Sequence, residues 1–141
     1  MKMRYFALIV GLIYVVIGIL GFVPTLLSLP ATAPILTVKA GYGYLFSLFP
    51  VNLLHNIVHL VVGVLGIIAY RSLSSAQLFA RGLTILYAVL AVLGLIPATS
   101  TLFGLVPLFS HNIWLHAVTA AIAAYFGFVT PRAREIGAQA T

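Results

Sequence analysis

Four apolar runs, each about twenty residues long, alternate with polar or proline-bearing breaks along the chain. The first covers about residues 5–23, between the Lys2/Arg4 pair and Pro24. The second covers about 51–70, opened by Pro50 and closed by Arg71. The third covers about 78–96 and stops at Pro97, and the fourth covers about 113–129 and ends at Thr130-Pro131-Arg132. Crossing a hydrocarbon core of about 30 Å takes roughly 20 residues at 1.5 Å each. With no water to satisfy its polar groups, the backbone there must be helical. The pattern therefore predicts an all-α fold, a four-helix transmembrane bundle formed by residues 1–131. The external connection, 24–50, is broken by Pro30, Pro34, Gly41 and Gly43, while Tyr42, Tyr44, Phe46 and Phe49 suit a membrane interface. It reads as a partly interfacial loop with room for a short helix. Residues 132–141 read as a polar tail.

Composition narrows this further. Of 141 residues, 63% are hydrophobic and 6% charged, too few charges to coat a water-facing surface. A soluble globular domain is excluded. The net charge of +6 comes from basic residues at the ends of the apolar runs, not from the aromatic-interleaved patch of a nucleic-acid binder. Lys2, Arg4, Arg71, Arg81, Arg132 and Arg134 fall on one side of the membrane and Lys39 on the other, which puts both termini in the cytoplasm. That bias fits a bacterial inner or internal membrane. Arg81 lies one turn inside the third run and is expected to snorkel to the interface. The first run is too long for the apolar stretch of a signal peptide, so it reads as a retained membrane helix. Cysteine is absent, which removes disulfides, thiolate ligands and cysteine nucleophiles.

An internal repeat is visible. Tyr14 to Pro24 aligns with Tyr87 to Pro97 at a shift of 73, and His55-Asn56-Ile57 aligns with His111-Asn112-Ile113 at a shift of 56. Two matches in order predict two similar helical hairpins in tandem, related by an axis along the membrane normal.

The candidate chemistry lies with four histidines, His55, His59, His111 and His116, where the second and fourth runs enter from the outside. His55 and His59 share a helix face with Asn52, Asn56, Gly63 and Gly66, while His116 heads a stripe of Ala120, Ala123 and Gly127. Small residues let helices approach closely in lipid, so these stripes are the expected packing faces. Three readings of the histidines stand together. They are interfacial hydrogen-bonding residues, ligands of a Zn, Cu or Fe ion, or axial ligands of a haem or chlorophyll. As a metal site, His55, His59 and His116 would share one ion, with His111 or water in fourth place, and Asn52, Asn56 and Asn112 would hold the rings by their other nitrogens. Affinity would fall as imidazole protonates below about pH 6.5. No catalytic set can be assembled, because the one carboxylate side chain, Glu135, lies in the tail.

The segments Asn52-Leu-Leu-His55-Asn56-Ile-Val-His59 and Asn112-Ile-Trp114-Leu-His116, with Gly63, Gly66, the Gly18/Gly21-Phe22 ending of the first run and Gly104-Leu-Val-Pro107, resemble domain-of-unknown-function family 4383. The resemblance implies a small four-span bacterial membrane protein and brings no established activity. The family pattern often has an acid where His111 stands. The sequence thus points to a membrane binding or accessory protein, not an enzyme, with a histidine cluster that takes up a metal ion. The alternative is a structural subunit of a larger respiratory or photosynthetic membrane complex, or a homo-oligomer.

Overall fold

Two of the four helices begin at a side chain that caps their first turn. The structure, a computed structural model, describes residues 2–130; the expected 132–141 tail, with Arg132, Arg134 and Glu135, lies outside them. Helix α1 spans Lys2–Leu20 and gives way, after Gly21, to a 3-10 turn at Pro24–Leu26. Helix α2 spans Leu53–Ala69, capped by Asn52, whose side-chain oxygen accepts from the His55 backbone N–H at 3.0 Å. Helix α3 spans Leu73–Leu95 and starts five residues before the apolar run, because Ser72 caps it by accepting from the Ser75 N–H at 3.0 Å. Helix α4 spans His111–Ala124 and continues as a π-helical segment, Tyr125–Val129.

Helices α1, α3 and the combined His111–Val129 segment are long and apolar enough to cross a membrane. Helix α2, at 17 residues, is shorter than the run from 51 to 70 implied, because Val51 ends a strand and Asn52 and Tyr70 cap the helix. The loop 24–50 departs most from expectation. Besides the short 3-10 turn it holds a small antiparallel sheet of β1 (Leu27–Ser28), β2 (Gly43–Leu45) and β3 (Phe49–Val51), in that order. Leu27 pairs with Leu45, and Gly43 with Val51. The β2–β3 turn puts Phe46 and Ser47 at φ +53° and +61°, in the left-handed region that side chains rarely enter.

Helix α1 packs chiefly on α2, and α3 on α4. Glycine sets the first seam: a Cβ on Gly63 would stand 2.6 Å from the Val15 nitrogen, and one on Gly66 2.8 Å from the Ala7 carbonyl oxygen. The small-residue stripes therefore close α1 onto α2 and α3 onto α4, rather than α2 onto α4. The core joins Phe6, Tyr14, Val62, Leu83, Tyr87 and Ala123. Outward faces carry Ile9, Ile13 and Val16 on α1 and Val61, Val64 and Leu65 on α2, all exposed, as lipid-facing positions must be.

At the basic end, Arg4 Nε donates to the Tyr70 carbonyl at 2.6 Å and its guanidinium lies 4.7 Å from the Tyr70 ring centroid. Arg81 Nε donates to the Gly127 carbonyl at 2.8 Å, joined there by Gln77 Nε2 at 3.3 Å. Widening the turn to a π pattern leaves carbonyls open to side-chain donors. Arg81 Nε is therefore paired within the protein. At the opposite end the sheet and the 97–110 loop form a cap in which Leu36, Pro50, Val51, Pro107 and Leu108 are buried.

Candidate functional site

Beneath that cap, the first turns of α2 and α4 carry His55, His59 and His116 inward, where they are 4%, 5% and 1% exposed. His55 and His59, one turn apart on α2, have ring centroids 4.3 Å apart. The His55 and His116 centroids are 6.1 Å apart, so the imidazoles bridge α2 to α4. The three rings expected to converge are thus neighbours.

Two tyrosines complete the centre. The Tyr14 ring of α1 lies 5.3 Å from His59 and 5.4 Å from Tyr87 of α3, and Tyr87 lies 5.1 Å from His116. The five rings form a closed circuit to which every helix contributes. Tyr14 shares a hydrogen bond with Thr119 Oγ1 at 3.3 Å. Neither tyrosine was read as part of the site from the sequence, where they served only to mark the repeat. The available signal was a phenol in mid-span, away from an interface, where its hydroxyl needs a partner.

Four buried polar atoms here lack a hydrogen-bond partner: His55 Nδ1, His59 Nδ1, His116 Nδ1 and Asn56 Oδ1. A buried polar atom left unpaired costs on the order of 1–3 kcal/mol. Neutral imidazole offers one donor and one acceptor, so either tautomer leaves something to satisfy. Among the described residues, no three or more His, Cys, Asp or Glu side chains are set as a ready coordination sphere.

His111 does not join the centre. It is the first, exposed residue of α4, and its Nδ1 accepts from Trp114 Nε1 at 2.9 Å beside the Phe49 ring. The first turn of α4 sends position 111 outward and 112 inward. Nor do the asparagines hold imidazoles: their amide nitrogens go to backbone carbonyls. Asn52 Nδ2 donates to Val38 at 3.1 Å and Leu105 at 2.7 Å, and Asn56 Nδ2 donates to Gly21 at 2.7 Å. Asn112 Nδ2 donates to Pro50 at 2.7 Å and Pro107 at 2.9 Å. Carbonyls freed at helix ends and loop bends need donors where water is excluded, and these amides supply them.

The register of the repeat shifts accordingly. The buried positions of α4, Asn112, His116, Ala120 and Ala123, each stand 57 residues beyond His55, His59, Gly63 and Gly66 of α2, not 56. His116 thus corresponds to His59, and His55 to Asn112. The same shifts relate Arg4 donating to the Tyr70 carbonyl with Gln77 donating to that of Gly127.

Residues 4–129 match the family described as Domain of unknown function (DUF4383). The chain belongs to that family. No curated protein and no solved structure matches it. The DUF4383 match runs through both histidine segments and stops at the end of the π segment, so the centre lies wholly within the family domain.

Above the centre, the Tyr42 hydroxyl donates to the Pro34 carbonyl at 2.9 Å. Partial burial, with the neighbouring Tyr44 phenol, pushes Tyr42 up to about 12, so it stays a donor at neutral pH. Cavities of about 390 Å³ beside Tyr42 and about 620 Å³ beside Lys2 and Phe126 have no histidine in their linings.

Proposed function

We propose that this protein is a small integral membrane binding or accessory protein whose histidine centre holds a transition-metal ion. It would have two tandem hairpins and cytoplasmic termini, with the centre towards the external side. The observation that carries the reading is the convergence of three buried imidazoles whose Nδ1 atoms all lack a partner. Imidazole is a good ligand for Zn, Cu and Fe. Two imidazoles on one ion, with bonds of about 2.0 Å, have ring centres roughly 5–6 Å apart. The centroid separations of 4.3 and 6.1 Å bracket that span. Closing on an ion needs rotation about Cβ–Cγ to aim the nitrogens and about Cα–Cβ to adjust the ring separations. A haem or chlorophyll suits the centre less, since Tyr14 and Tyr87 flank His59 and His116 where a macrocycle would have to enter.

A structural subunit of a larger membrane complex is the second reading. It is favoured by the lack, among the described residues, of a ready three-ligand set. Elemental analysis of protein purified in detergent separates the two. Metal binding predicts about one ion per chain, lost in His59→Ala and His116→Ala and retained in His111→Ala. Wild-type protein that takes up no ion from metal-supplemented buffer would overturn it in favour of the structural reading.

A further inference from the structure

We infer that the ion held by His55, His59 and His116 is monovalent copper; the inference rests on the metal-binding reading above. Three observations point to it. The first is charge. The chain has one acidic side chain, Glu135, in a sequence of 141 residues, and it lies outside the described bundle. Among the described residues the centre offers imidazoles and, beside them, the Tyr14 and Tyr87 phenols, and no carboxylate. The cost of burying an ion rises with the square of its charge, so a divalent ion costs roughly four times what a monovalent one does in the same medium. A centre with no carboxylate among the described residues therefore discriminates against Zn²⁺, Cu²⁺ and Fe²⁺ relative to a monovalent ion.

The second is ligand number. Structural Zn²⁺ almost always takes four ligands. The expected fourth histidine, His111, is exposed and engaged with Trp114. With His55, His59 and His116 no more than 5% exposed, bulk water has little access to that place. Filled-shell Cu(I) is content with two or three ligands. Three imidazoles, His55, His59 and His116, can therefore hold it with no fourth ligand.

The third is the surround. Tyr14 and Tyr87 set aromatic rings against His59 and His116. Such a shell suits a soft, weakly hydrated cation and not one that must keep its waters.

The test uses the full chain in detergent, without oxygen. It is equilibrated separately with cuprous ion held reduced by ascorbate, with Cu²⁺ and with Zn²⁺. Each sample is then exchanged into metal-free buffer, and retained metal is measured alongside the X-ray absorption edge. The expected result is about one copper per chain with a cuprous edge, and at least tenfold less retained Zn²⁺. His55→Ala and His59→Ala should abolish retention, with a thermal melt confirming that each variant is folded; the wild-type comparison decides the matter even if they are not. Preferential retention of Zn²⁺ or Cu²⁺ would overturn monovalent copper and leave the metal reading standing. Retention of no ion at all would overturn both.

Discussion

Asn112 is 2% exposed and gives both its amide hydrogens to proline carbonyls, one in each half of the chain. Pro50 and Pro107 are themselves buried, so a carbonyl that loses the asparagine has no ready substitute donor. Asn112→Ala should therefore destabilise the protein by about 1–3 kcal/mol for each carbonyl left bare. A lower melting temperature in detergent checks it, with His111→Ala as the control that should change little. If both substitutions lower the melt alike, Asn112 is not the tie between the halves. The inward aim of His55, His59 and His116 was legible in the sequence, because helical spacing alone puts them on stripes of small residues. The outward aim of His111 was not. It depends on a helix start set by Ser110, whose φ of +61° no propensity foretells. The roles of the asparagines were hidden for a related reason, since their partners are backbone carbonyls contributed by distant loops.

Among the elements, the apolar runs announced the helices, whereas the sheet left almost no trace. Strands of two or three residues have too few positions to show alternation, and Pro50 inside β3 argues against a strand. Local caps moved the helix boundaries: Ser72 extended α3 backwards through a serine-rich stretch that hydropathy reads as loop. The tight α1–α2 seam makes a sharper prediction. On Gly63 or Gly66, any side chain would meet backbone of α1. Gly63→Leu should force the helices apart and cost at least about 1–3 kcal/mol, while the lipid-facing Leu65→Ile should be nearly silent. A detergent melt in which Gly63→Leu and Leu65→Ile behave alike would show that this seam does not hold the bundle together.

Taken whole, the molecule is a bundle with one basic end, an aromatic-rich cap at the other, and a polar centre between them to which all four helices contribute. The charge bias predicts that Arg71 faces the cytoplasm and Lys39 the exterior. Because the chain has no cysteine, single-cysteine variants at 71 and 39 can be labelled without background, and external labelling of position 71 would reverse the topology. The presence of helices fit for a membrane was written in the hydropathy; the five-ring circuit was not, because it forms only when four separated segments meet. Its capacity to hold an ion is best tested by X-ray absorption fine structure on metal-loaded protein. A shell of three imidazole nitrogens at about 2.0 Å is expected, unchanged in His111→Ala and lost together with the ion in His116→Ala. A shell of oxygen alone, or one that changes with His111 and not with His116, would contradict a metal centre built on His55, His59 and His116.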